Sequence, residues 1–256
     1  LALGMDPEKS TFWVQHDVKE VLELYWLLSN HTSMGLLERA HSYKDKTTRG
    51  IQANHGLFSY PVLMAADILL FDSNIVPVGK DQIQHVEMTR DIATSFNHTY
   101  GNILVLPESK VDEVVATVPG TDGAKMSKSY NNTIDMFGPA KTIKKQVMGI
   151  VTDSKELDEP KEWENCNIYT LSKLFMNENE LASLRQRYAT PGEGYGHFKM
   201  TLLEKINAHF EPYAQKREHL LNNPKEVKDI LAYGASKAKK IAAAKMEIIR
   251  DAVGLI

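Results

Sequence analysis

The feature that most constrains this chain is a change of rhythm near its middle. In the first half, short β-branched or aromatic runs alternate with amphipathic stretches. Thr11-Phe12-Trp13-Val14-Gln15 reads as a strand, and Lys19 to Leu28 as a helix through Val21, Leu24, Tyr25 and Leu28. Tyr60 to Phe71 predicts an apolar helix begun at Pro61, a favoured first-turn residue. Ile75 to Val78 reads as a buried strand ended by Gly79. Asp81 to Phe96 follows as a helix with His85, Met88, Ile92 and Phe96 on its apolar face, and Ile103 to Leu106 as another strand. That alternation belongs to an α/β fold with a doubly wound parallel sheet. From about Glu156 onward the periodicity is helical only: Ile168 to Met176, Glu178 to Ala189, His197 to Leu221, Lys225 to Tyr233 and Ala235 to Val253, with Gly234 read as a helix cap. The expected division is an α/β domain over 1–154 and an all-helical C-terminal domain over 155–256.

Composition narrows the function classes. With 256 residues, 43% hydrophobic and 25% charged, the chain can bury its own core and has the make-up of a soluble globular protein. A net charge of -3 means that contact with nucleic acid must use a local basic face. The single cysteine, Cys166, excludes an internal disulfide and a cysteine-based metal site, and fits a reducing cytoplasm. No apolar run approaches a membrane span, so a cytoplasmic protein without a membrane partner is expected. The opening Leu1-Ala2-Leu3-Gly4 has no initiating Met and reads as the tail of a capped helix, an expectation of a fold entered midway.

Three segments carry chemistry. Lys125-Met126-Ser127-Lys128-Ser129 follows the glycine-rich approach Pro119-Gly120-Thr121-Asp122-Gly123. Lysines three apart, interleaved with hydroxyls on a glycine-hinged loop, suit a polyphosphate; a bare K-x-x-K is more often a solvated loop. In Tyr60-Pro61-Val62-Leu63-Met64-Ala65-Ala66-Asp67-Ile68, helical spacing puts Tyr60, Met64 and Asp67 on one face. A carboxylate on so apolar a helix needs a donor, either a ligand N–H or O–H, or a helix end or arginine of the protein itself. In Val76-Pro77-Val78-Gly79-Lys80-Asp81-Gln82 a strand runs into a helix amino terminus, where open α/β sheets bind ligands; Asp81 as a plain N-cap reads equally well.

In this order and spacing the three strings resemble the bacterial-type tryptophanyl-tRNA synthetases, class I enzymes marked by the KMSKS string. Gly4-Met5-Asp6-Pro7-Glu8-Lys9-Ser10-Thr11, Tyr43-Lys44-Asp45-Lys46, Val151-Thr152-Asp153-Ser154 and Gly234-Ala235-Ser236-Lys237-Ala238 extend the likeness over essentially the whole chain. The resemblance implies a partial Rossmann-like domain followed by a helical, anticodon-reading one, and a tryptophan–tRNA ligase that is a homodimer when intact. It implies that Asp67 accepts the indole N–H, that Met64, Val76 and Val78 wall the ring, and that Tyr60 and Gln82 hold the polar end of L-tryptophan. ATP would meet Gly79, Lys80, Asp81, Val115, Met126, Ser127 and Ser129, with Lys125 and Lys128, assisted by Lys44, stabilising the leaving pyrophosphate. Magnesium would travel with the triphosphate, with no metal ligated by the protein alone. The tRNA(Trp) partner would use the basic last helix, through Lys237, Lys239, Lys240, Lys245 and Arg250; Lys141, Lys144 and Lys145 form a second basic turn.

The chain departs from the family in one respect. The HIGH-type motif, or its T-I-G-N-like variant, has no counterpart among these residues, so the fragment is expected to be inactive alone. Two other readings remain open: a tyrosyl-tRNA synthetase, since Tyr60 and Asp67 suit a phenol about as well, and a non-catalytic nucleotide- or RNA-binding fragment.

Overall fold

The computed structural model describes residues 1–40, 43, 52–111 and 118–256. They form two compact units, one of Met5–Val114 with Pro224–Ile256, the other of Leu1–Gly4 with Val115–Asn223. The 154/155 division does not coincide with these packing units: residues 115–154 group with the second unit, and the last helix with the first.

In the first unit, helix α1 (Glu20–Ser29) buries Val21, Leu24 and Leu28 and carries Glu20 and Glu23 in its first turn, where the helix dipole favours acids. A short α2 (Met34–Glu38) is capped by the Ser33 hydroxyl, which accepts from Leu36 N. Helix α3 (His55–Leu69) begins well before Pro61, the expected start. Asn54 is the cap, accepting from Leu57 N at 2.8 Å, and Pro61 lies inside the helix. Strand β1 (Ile75–Pro77) is followed by a 3-10 turn at Lys80–Gln82 and by helix α4 (Ile83–Tyr100). Strand β2 (Glu108–Lys110) then pairs parallel to β1, in the register Ile75↔Glu108. Among the described residues the sheet has these two strands, with α4 as their crossover.

Neither Thr11–Gln15 nor Ile103–Leu106 is a strand. In the second case the Asn97 side chain takes the place of a neighbouring strand. Its Oδ1 accepts from Ile103 N and Leu104 N, and its Nδ2 donates to Leu104 O at 2.8 Å. With those main-chain groups satisfied, the segment needs no ladder. Around Thr11–Gln15, Trp13 packs edge-on against Phe71 at 5.1 Å, and the chain turns at Gln15–Asp17.

The last helix is one element, α9 (Pro224–Ala252), not two. Gly234 does not cap it. It is buried mid-helix, and a Cβ there would stand 1.9 Å from Phe12 O. The glycine is required by the close approach of a backbone. Ala238, Ala242, Met246 and Ile249 of α9 enter the same core as Leu24, Leu28, Ala65, Leu69, Ile92 and Phe96.

The second unit contains α5 (Ala140–Met148), α6 (Asn167–Ser172), α7 (Glu178–Ala189) and α8 (Tyr195–Asn222). Asn177 and Glu180 form a complete capping box at the start of α7. The core stacks Tyr188 on Phe198 with ring centroids 4.0 Å apart, and Ile143, Val147, Leu202 and Ile206 pack in the same cluster. Among the described residues no helix is long and apolar enough to cross a membrane.

Candidate active site

Helix α3 presents Tyr60, Met64 and Asp67 on one half-buried face, beside fully buried Ala65, Ala66 and Leu69. Among the described residues Asp67 neither caps a helix nor pairs with an arginine. Its Oδ2 accepts a 2.5 Å hydrogen bond from Gln15 Nε2, a neutral donor 52 positions away. Its Oδ1 accepts none among the described residues. Burial pushes the Asp67 carboxyl above the ordinary carboxylate range, and the Gln15 bond opposes that shift. The result is a partly desolvated acceptor with one oxygen held and one available. On the same face the Tyr60 hydroxyl shares a 2.8 Å hydrogen bond with Nε2 of buried His85.

Along β1 and just past it, half-buried Val76 and Val78 alternate with exposed Ile75 and Pro77, so the two valines share the covered face. Val78 N donates to Lys110 O at 3.0 Å, which carries the parallel pairing to the end of the strand. At Gly79 a Cβ would lie 2.7 Å from Asp81 Oδ1, so a larger residue there would push the exposed carboxylate away from the turn. Asp81 is not the N-cap of α4. That position is Gln82, whose side-chain Nε2 donates to Asp81 Oδ2 at 2.8 Å. Lys80 and Asp81 are exposed at the end of the strand.

The Lys125–Ser129 loop belongs to the other unit. It closes a small hairpin: Pro119 bridges Lys125, Met126 N donates to Val118 O at 2.9 Å, and Gly120 N to Ala124 O at 2.7 Å. Gly123, with φ of 85°, supplies the left-handed residue of the turn. Ser127 starts a 3-10 turn over Lys128–Tyr130, its hydroxyl accepting from Ser129 N. Lys125 and Lys128 are both exposed. Gln15 and Asn132 are the side chains that hold Asp67 and this loop, and neither residue type announces that role in the sequence. Lys44 and Val115 lie outside the described residues. Among the described residues no cluster of three or more His, Cys, Asp or Glu side chains could hold a metal ion.

The basic face expected on the last helix is smaller than its sequence suggests. Lys245 is buried, pairing with Asp72 at 2.5 Å and donating to Ile103 O at 2.6 Å. Arg250 forks onto both oxygens of Glu23 at 2.8 and 2.6 Å. Lys237 lies over the Tyr233 ring at 4.3 Å and donates to Pro7 O. Lys239 and Lys240 are the exposed cations of the five. Lys141, Lys144 and Lys145 on α5 are also exposed.

Residues 1–211 match the family model of the class I tRNA synthetases for tryptophan and tyrosine. The tryptophan–tRNA ligase of Campylobacter jejuni is 61% identical over 255 residues, with 100% of this chain and 80% of the relative covered. The chain belongs to the bacterial-type tryptophanyl-tRNA synthetases. The tryptophan–tRNA ligase of Rhodopirellula baltica is 49% identical over the same span, again covering 80% of the relative. Crystals of the Campylobacter jejuni synthetase complexed with ADP and tryptophan show the same fold, with a TM-score of 0.94 over 99% of this chain and 79% of that one. The Mycoplasma pneumoniae tryptophanyl-tRNA synthetase shares it at 27% identity, with a TM-score of 0.72. The enzyme class is thus that of the tryptophan–tRNA ligases, and the strings around Asp67, Gly79 and Lys125 belong to a class I synthetase fold.

Proposed function

We propose that Asp67 is the residue that selects tryptophan, by accepting the indole N–H, and that the chain contributes it to ATP-dependent formation of tryptophanyl-adenylate. The observation that carries this reading is the half-buried carboxylate of Asp67, one oxygen fixed by Gln15 and the other accepting no bond among the described residues. Indole has a donor and no acceptor. A buried acceptor left unpaired by phenylalanine would disfavour that amino acid by about 10⁴-fold or more. Met64, Val76 and Val78 wall the ring, while Tyr60 and Gln82 hold the ammonium and carboxylate end.

In the reaction, a carboxylate oxygen of tryptophan attacks the α-phosphorus of ATP in line, the bond to the bridging oxygen breaks, and pyrophosphate leaves. A hydroxyl of the tRNA terminal ribose then takes the acyl group, and AMP departs. The protein's share is placement and charge. Gly79, Lys80 and Asp81 meet the nucleotide, Asp81 at the ribose; Val115 meets the adenine. Lys125 and Lys128, assisted by Lys44, neutralise charge growing on the pyrophosphate, while Met126, Ser127 and Ser129 contact the nucleotide. Magnesium accompanies the triphosphate and supplies further positive charge.

The helical residues 155–256 are proposed to carry the tRNA(Trp) contacts, the intact protein to be a homodimer, and its place to be the cytoplasm. No counterpart of the HIGH-type motif occurs among these 256 residues, so on their own they are expected to bind tryptophan but to form adenylate slowly. Calorimetric titration with tryptophan and tyrosine, alongside pyrophosphate exchange, tests the assignment. Tryptophan binding with little exchange is the expected result. Preference for tyrosine would redirect the assignment to the sister enzyme, and binding of neither amino acid would leave a non-catalytic module.

A further inference from the structure

We propose that Asn132 is a positioning residue that sets the shape of the Lys125–Ser129 loop and thereby the placement of Lys125 and Lys128. The functional half of this statement rests on the reading above, in which those lysines meet a polyphosphate.

An exposed loop with two long cationic side chains loses little by fraying, unless its main chain is tied down. Here one carboxamide does the tying. Asn132 is 2% exposed although it follows the most exposed stretch of the loop. Its Nδ2 donates to Asp122 Oδ1 at 2.7 Å and to Lys125 O at 3.1 Å, its Oδ1 accepts from Ser127 N at 2.8 Å, and its main-chain O accepts from Thr121 N at 2.9 Å. A single side chain thus grips the Asp122 carboxylate in the turn before the motif and two main-chain groups of the motif itself. Fixing Ser127 N also fixes the Ser127 hydroxyl, which starts the turn that carries Lys128.

The residue type follows from the contacts. Two donors and one acceptor on a short stem describe asparagine. Aspartate would set a carboxylate against Asp122 and the Lys125 carbonyl, and alanine would leave the Ser127 amide and the Lys125 carbonyl without their buried partner. Gly120 belongs to the same device. A Cβ there would lie 2.2 Å from Asn132 Nδ2, so this glycine makes room for the carboxamide rather than serving as a hinge.

The test uses the whole 256-residue chain as wild type, Asn132→Ala, Asn132→Asp and the conservative Asp122→Asn, which keeps an Oδ1 acceptor for both Ala124 N and Asn132 Nδ2. Hydrogen exchange at Ser127 and Ser129 is expected to quicken by about tenfold or more in both Asn132 variants and to stay within about threefold of wild type in Asp122→Asn. Exchange in α5–α8 is expected to stay within about threefold in all three variants. Binding of magnesium–ATP is expected to weaken about tenfold in the Asn132 variants, while tryptophan binding stays within about twofold. A residue that only stabilised its unit would quicken exchange throughout α5–α8 and leave the ATP affinity unchanged. That outcome, or unchanged exchange at Ser127 and Ser129, or unchanged ATP affinity, would overturn the proposal. A wild-type chain that binds neither ligand would refute the functional reading, and the exchange results would still decide whether Asn132 shapes the loop.

Discussion

Gln15 donates from Nε2 to Oδ2 of Asp67 at 2.5 Å, tying the segment before α1 to the face of α3 that carries Tyr60 and Met64. The bond is a compromise. Burial raises the Asp67 pKa, and the amide partly offsets that rise. A carboxyl whose folded pKa lies above its unfolded value stabilises the fold at low pH. That contribution is lost as pH rises through the folded value. Asp67→Asn is therefore expected to melt above wild type at about pH 7, with the difference shrinking toward about pH 3.5, where both side chains are neutral. Gln15→Ala should shift the wild-type loss to higher pH, since it removes the group that favours the ionised form. Thermal melts across that range give the sign directly; a variant less stable at neutral pH would contradict it.

Gly234 sets two rules against each other. In an exposed helix interior, Gly→Ala gains about 1 kcal/mol from propensity. Here the added methyl would sit 1.9 Å from Phe12 O, a main-chain atom that cannot swing aside. Overpacking of this kind costs about 3 kcal/mol. Gly234→Ala is accordingly expected to lose about 2 kcal/mol net in urea unfolding, with the sign opposite to that of an ordinary helix glycine.

The cations of α9 should separate by role. Lys245→Ala is expected to cost about 2 kcal/mol of stability, because the Ile103 carbonyl and Asp72 lose a buried donor. Lys239→Glu with Lys240→Glu should leave unfolding nearly unchanged and weaken tRNA(Trp) binding, flattening its dependence on salt by roughly one contact per lysine removed. Filter binding at several salt concentrations checks the second outcome; an unaltered slope would remove α9 from the tRNA surface.

Loss of the Asn54 cap provides a local control for the site helix. Asn54→Ala removes the acceptor for Leu57 N and is expected to cost about 1 kcal/mol, read as a shift of the urea midpoint. Tryptophan binding should change far less than in Asp67→Ala, since Asp67 lies about three and a half turns further along α3.

Elements with strong periodicity were legible from the sequence. Val21, Leu24 and Leu28 mark α1, and the helical run read over Glu178 to Ala189 is α7. What misled was contact made at a distance. Ile103–Leu106 has the composition of a strand, but Asn97 satisfies its main chain from α4, and no pattern announces that. Gly234 looks like a cap until Phe12 arrives from the other end of the sequence. Within the site, the strings around Asp67, Gly79 and Lys125 carried the family likeness. Gln15 and Asn132 did not stand out, because one glutamine in a strand-like run and one asparagine after a loop acquire meaning only from their partners. Lys245 and Arg250 read as a basic face because charge patterning cannot see that Asp72 and Glu23 are waiting for them.

The central claim is that Asp67 reads the indole N–H. Its most direct test is calorimetric titration of wild type and Asp67→Ala with tryptophan and with the benzothiophene analogue, in which sulfur replaces that N–H. Wild type should prefer tryptophan by about a hundredfold or more, and Asp67→Ala should bind the two about equally. A preference for tryptophan that survives the loss of Asp67 would contradict the account.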